Sequence, residues 1–115
     1  MCEETPWFGA SPDGLVYDPL ERPTCGLVEI KCPNAQSYVD CGYLTVHQGQ
    51  RKLRESHAYY WQVQGQLLVT GMVWCDFVVC ANNDVCSAYI YINEEVLSKL
   101  KQKCDLFFFS LNVYI

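Results

Sequence analysis

Two opposite charges, Glu29 and Lys31, sit two residues apart in an otherwise apolar run over residues 26–33, GLVEIKCP. A strand alternates its side chains between two faces, so Glu29 and Lys31 project to one side while Val28, Ile30 and Cys32 project to the other. Taking two charges out of water is costly unless each finds a partner or a function. The run therefore codes either a half-solvated strand or a strand that holds a cation and the water it activates. Spacing alone does not separate the two, because any amphipathic strand reads in this way. The rest of the chain has to decide.

At 115 residues the chain is expected to form one domain able to bury a core. Half of its residues are hydrophobic and 14% are aromatic, which places it among folded rather than disordered chains. No run approaches the roughly 18 apolar residues of a membrane helix. The first residues, MCEETPW, lack the basic and apolar regions of a secretory signal. The expectation is an intracellular protein, not secreted and with no membrane partner, with nucleus and cytoplasm undistinguished. Of the eight cysteines, no two are spaced as CxxC, and several lie in apolar runs. Reduced, mostly buried thiols are expected, and a zinc domain built from them is the minor alternative. A net charge of −5 argues against a broad nucleic-acid surface. Arg51, Lys52 and Arg54 nonetheless cluster before one expected helix, and Lys99, Lys101 and Lys103 fall in another.

Along the chain, WFGASPDGLVY over 7–17 suggests a short strand, a tight bend at Pro12-Asp13-Gly14 and a strand over 15–17. A loop over 18–25 leads to a strand over 27–32, stopped by Pro33 and antiparallel to its predecessor. Residues 34–56 lack a clear period and are expected to form a long loop with Tyr38, Tyr43 and Leu44 as isolated anchors. Ser56 is the expected N-cap of a helix over 57–70, ended by Gly71. Tyr60, Val63, Leu67 and Leu68 form its apolar face, and Gly65 suggests close approach to a sheet. WCDFVVCA over 74–81 is an expected central strand, Asn82-Asn83-Asp84 its turn, and 88–92 its hairpin partner. Asn93 caps a last helix with Glu94 and Glu95 in its first turn and a stripe of Leu97, Leu100, Cys104, Phe107 and Leu111. The expected class is α+β, a mixed sheet with flanking helices in the order β-β-α-β-β-α.

Asp13, at a turn where a strand begins, and Glu29, on the neighbouring strand, can converge on one hard cation such as Mg²⁺. The Ile30 backbone carbonyl, between Glu29 and Lys31, is a further candidate ligand, and Lys31 would stand beside the cation's water. Such a cation stabilises developing negative charge and lowers the pKa of an attacking water. SPDG at 11–14, EIK at 29–31 and YYWQVQGQ at 59–66 together resemble the YqaJ-type viral recombinase family, similar to phage lambda exonuclease, within the PD-(D/E)xK nuclease superfamily. The resemblance runs from about Trp7 into the last helix, includes WCDFVV at 74–79, and is interrupted over 34–54, a stretch that looks shortened.

The resemblance implies a restriction-endonuclease-like core and Mg²⁺-dependent exonuclease activity on linear duplex DNA ends, with Mn²⁺ as a substitute cation. By position in the motifs, Asp13 and Glu29 match the metal-binding acids, Lys31 the catalytic lysine and Gln62 the first glutamine of the helix motif. Gln66, one turn later, is the better second glutamine, because Gln64 does not share its face; Gln64 is as readily a surface residue. Tyr59, Arg51, Lys52 and Arg54 are candidates for lining the site or touching DNA. For Tyr59 and Tyr60 core packing is the blander reading, for His57 simple exposure at a helix start, and for Asp76 a structural hydrogen bond. The family places a helical segment, with another acid and basic residues, ahead of the SPDG strand, whereas 12 residues precede Asp13 here. The expectation is therefore a truncated nuclease domain, in which the family's ring-shaped homo-oligomer is in doubt. The alternative is a catalytically weak or inactive remnant serving as an interaction module.

Overall fold

The computed structural model describes residues 12–112, so the expected strand before Ser11 lies outside the described residues. Its core is a four-stranded mixed sheet in the order β1-β2-β5-β6. β1 (Gly14–Tyr17) and β2 (Cys25–Lys31) pair antiparallel, with Leu15 opposite Leu27. β5 (Trp74–Cys80) runs parallel to β2, with Glu29 opposite Phe77, and antiparallel to β6 (Val85–Tyr91). The parallel pairing of β2 and β5 needs a crossover, and α1 (Ala58–Thr70) lies within it. α2 (Glu94–Asn112) follows β6 and packs against α1. The class is α+β, with one mixed sheet and two helices.

Two expectations about this frame change. Residues 34–56 are not an unstructured loop: they hold a 3₁₀ turn, Tyr38–Asp40, and a hairpin of β3 (Leu44–His47) and β4 (Gln50–Leu53). The element order is therefore β-β-β-β-α-β-β-α. Gln48 and Gly49 both take positive φ, 51° and 79°, as a two-residue turn matching the strand twist requires. Asn-Gly announces such a turn; Gln-Gly does so weakly, which is why periodicity missed it.

Register sorts the side chains of the sheet. Leu27, Glu29 and Lys31 share a face with Cys75, Phe77 and Val79, and with Cys86, Ala88 and Ile90. Tyr60, Val63 and Leu67 of α1, with Leu44 and Leu53 of the hairpin, complete the core against that face. The apolar helix face expected from spacing is this one, with Leu68 half-buried beside it. On the opposite face Trp74 is fully buried, stacks on Tyr89 and donates from Nε1 to the Pro23 carbonyl at 2.7 Å. A Cβ at Gly26 would stand 2.4 Å from the Trp74 ring, so the close approach expected at Gly65 occurs at Gly26 instead. A Cβ at Gly65 would meet nothing within 4 Å.

The caps follow the expected chemistry with one shift. His57, not Ser56, caps α1, its Nδ1 accepting from the Tyr59 N–H at 3.0 Å. Gly71 closes the helix in the left-handed region, φ 74°, its N–H donating to the Leu67 carbonyl. Asn93 Oδ1 accepts from the Glu95 N–H at 3.1 Å and so caps α2. The stripe expected beyond Leu100 (Cys104, Phe107, Leu111) lies outside the described side chains. Cys32, Cys41, Cys75, Cys80 and Cys86 are free thiols, whereas Cys25 is disulfide-bonded, which corrects the expectation of thiols throughout. Among the described residues no helix is long and apolar enough to cross a membrane.

Candidate active site

The site forms where β2 runs beneath α1. Asp13 sits just before β1, and antiparallel pairing brings it beside the end of β2. Its Oδ2 accepts from the Ile30 N–H at 2.7 Å, and its own N–H donates to the Val28 carbonyl at 3.2 Å. These two bonds lock the Asp13 turn to the strand that carries Glu29 and Lys31. Ile30 itself points to the opposite face, with its peptide between the two charged residues.

Glu29 is only 4% exposed, yet among the described residues it has no ion-pair partner within 4.0 Å; the single described salt bridge joins Lys99 and Glu95. Burial holds its carboxyl above the usual value of 4.5, and the charge of Asp13 adds to the rise. Gln66 opposes this most, donating from Nε2 to Glu29 Oε1 at 2.7 Å, and Lys31 opposes it more weakly. Cys75, on the neighbouring strand, is fully buried and its thiol is pushed up to about 12, by burial first and the Glu29 charge second.

Lys31 Nζ donates to Gln62 Oε1 at 3.2 Å and lies 4.3 Å from the centroid of the Tyr59 ring, where the ring face attracts a cation. Gln62 and Gln66 are one helical turn apart, so they present side chains from the same face of α1. One holds the lysine and the other holds the carboxylate. Tyr59 belongs to an aromatic wall with Tyr43 and His57, whose ring centroids are 5.0 Å and 4.6 Å from its own. Tyr43, an isolated anchor in the sequence, is the residue of this wall that periodicity missed; it stands in a stretch with no period to reveal it.

The remaining candidates separate. Gln64 is fully buried and faces away from the site: its Nε2 donates to the Tyr91 carbonyl at 2.8 Å and its Oε1 accepts from the Asn93 N–H at 3.0 Å. It is neither a surface residue nor part of the Glu29–Lys31 cluster. Tyr60 packs in the core, its hydroxyl accepting from Asn93 Nδ2 at 3.1 Å. Asp76 accepts from the Ser87 hydroxyl on the adjacent strand, a structural bond. No described contact joins Arg51, Lys52 or Arg54 to the cluster: Arg51 lies over the Tyr38 ring, and Arg54 Nε donates to the Gly42 carbonyl at 2.8 Å.

The arrangement offers two carboxylates, a tethered ammonium and a peptide carbonyl at one strand end. No group of three or more His, Cys, Asp or Glu converges among the described residues. A cation held here would draw on Asp13, Glu29 and oxygen ligands from the backbone or from water, which suits a hard ion better than zinc. Gln66 Oε1 is buried and has no hydrogen-bond partner among the described residues.

Fold and site together define a mixed-sheet α+β domain with a buried carboxylate and a lysine clamped beneath a glutamine-bearing helix. The chain belongs to the YqaJ-like viral recombinase domain family, whose model matches residues 1–73. That match takes in Asp13, the Glu29–Lys31 strand, the hairpin and all of α1, and ends just before β5. The similarity read from the sequence over 74–79 lies beyond it. No curated protein and no solved structure matches the chain.

Proposed function

We propose that this chain is a Mg²⁺-dependent deoxyribonuclease of the PD-(D/E)xK type, hydrolysing phosphodiester bonds from the ends of linear duplex DNA. The observation that carries the reading is Glu29: a carboxylate buried to 4% exposure with no ion pair among the described residues costs stability, and a bound cation would offset that cost. Asp13 and Glu29 would hold the cation, with the Ile30 carbonyl beside them; Mn²⁺ meets the same oxygen donors. When bound, the cation supplies a more acidic water and neutralises charge on the attacked phosphate.

The chain's own residues do the positioning. Gln66 fixes one Glu29 oxygen, and the other has no side-chain partner among the described residues. Its unpartnered Oε1 is available to a water of the cation's shell. Lys31, restrained by Gln62 Oε1 and the Tyr59 ring, orients the attacking water and offsets charge on the phosphate. Membership of a recombinase family supports DNA as the substrate.

Digestion of end-labelled linear duplex DNA, with Mg²⁺ and with chelator, tests this. Wild-type chain is expected to shorten the DNA only with the cation, and Lys31→Ala to slow it about 100-fold or more. Equal, negligible digestion by both would leave the fold as an interaction module and remove the enzymatic reading.

A further inference from the structure

Three of the chain's eight Lys and Arg residues, Arg51, Lys52 and Arg54, fall within four positions of an otherwise acidic protein. None of them forms an ion pair among the described residues. Arg51 and Lys52 lie on β4, and both line a groove of about 680 Å³ between that strand and the sheet's edge strand, β6. Tyr38, Ser87, Tyr89 and Tyr91 line it as well. Lys52 also borders a second hollow of about 380 Å³ with Arg54, where the carboxylate of Glu55 lies beside the two cations.

The neighbouring carboxylates are each held by hydrogen bonds from neutral donors, which fix their positions without neutralising them. Asp84 accepts from the Ser37 hydroxyl at 2.6 Å and from the Tyr38 N–H at 2.8 Å. Asp18 accepts from the Leu20 N–H and the Tyr89 hydroxyl, and Glu21 from the Tyr91 hydroxyl. The two hydroxyl bonds also fix the rings of Tyr89 and Tyr91. Tyr91 remains half exposed, and Tyr38 carries the Arg51 guanidinium 5.4 Å from its centroid. Charged residues on a hairpin can serve merely to keep strand edges from pairing. That role calls for charge pointing outward, whereas Arg51 is half-buried, lines the groove and is stacked on an aromatic ring.

We propose that the groove between the β3–β4 hairpin and β6 binds a single strand of nucleic acid, with Arg51 and Lys52 on phosphates and Tyr91 and Tyr38 as base platforms. Cations tracking a backbone beside aromatic faces are the general chemistry of single-strand recognition. The assignment extends the nuclease reading, on which it rests for the identity of the polyanion, to a site outside the Glu29–Lys31 cluster. The hairpin is rooted next to that cluster, because the Arg54 N–H donates to the carbonyl of Tyr43, whose ring packs on Tyr59.

Fluorescence anisotropy with a labelled single-stranded oligonucleotide, in chelator and over a salt series, tests the groove independently of cleavage. Binding is read without the cation, so a failure of the nuclease reading leaves the measurement intact. Arg51→Ala combined with Lys52→Ala is expected to weaken binding about tenfold and to lower the salt slope by about 1.4, two contacts at about 0.7 each. Arg51→Lys is expected to keep the slope. Lys52→Ala alone, at an exposed side chain, is expected to lower it by about 0.7 without changing the melting temperature, which guards against a fold defect in the double variant. An unchanged slope in these variants overturns the proposal, as does failure of the wild-type chain to bind. Competition by polyglutamate as effective as competition by unlabelled oligonucleotide also overturns it, since the groove would then be a docking site for acidic peptides.

Discussion

A carboxylate as buried as Glu29 ionises less readily than one in water, because the folded chain offers it fewer compensating dipoles than solvent does. The sign of its effect on stability follows. Well below the ordinary value of 4.5, Glu29 is protonated both folded and unfolded and contributes no difference. As pH rises, the unfolded chain ionises at the ordinary value of 4.5 while the folded chain, whose value is raised, ionises later and at a cost. Stability conferred by the protonated form is lost as pH rises through the folded value. Glu29→Gln keeps an acceptor for Gln66 and removes the charge. Thermal melts in chelator are expected to place this variant above wild type at pH 8, with the gap closing toward pH 4. Adding Mg²⁺ is expected to raise the wild-type melting temperature and leave the variant's in place, since a ligand stabilises only the fold that binds it, by about 2.7 kcal/mol at a hundredfold excess over Kd. A variant that melts below wild type at pH 8 would show that Glu29 is a structural charge.

At the scale of elements, two glycines predict opposite responses. Gly65 lies within α1, has ordinary helical φ, and a Cβ there meets open space. Gly65→Ala is expected to stabilise by about 0.5–1 kcal/mol, read by denaturant titration. Gly26 lies in β2 against the fully buried Trp74 ring, where a Cβ would meet ring atoms at 2.4–2.6 Å. Gly26→Ala is expected to destabilise by about 1–3 kcal/mol through overpacking. Both glycines are plain in the sequence, but their difference is not. Gly65 suggested a close approach because nothing else explains a glycine in a helix, and Gly26 escaped notice because its partner is 48 positions away in the chain. The strands over β1, β2, β5 and β6, and both helix starts, were legible to within a few residues, since each is written in local spacing and caps. The β3–β4 hairpin was not, because its turn rests on Gln48 in a positive φ that residue type does not advertise.

For the whole molecule, the three glutamines of α1 divide the work. Gln62 and Gln66 face the site, whereas Gln64 joins α1 to the junction of β6 and α2, beyond the residues that the family model matches. Gln64→Leu leaves the Tyr91 carbonyl and the Asn93 N–H without their side-chain partner in a part-buried setting, and is expected to cost about 1–3 kcal/mol in denaturant titration. Gln62→Leu, at an exposed position, is expected to leave stability within about 0.5 kcal/mol and to lower the rate of DNA digestion. Similar stability losses for both variants would mean that the two glutamines share one structural role. By itself the sequence determined the strand carrying Glu29 and Lys31, the helix carrying the glutamines, and the family, because those are matters of residue type at short spacing. The tertiary structure alone decided which glutamine meets which charge, that Tyr43 backs Tyr59, and that Arg51 and Lys52 line a groove apart from the cluster. Those relations depend on register and crossover between elements distant in the chain, and no local period encodes them.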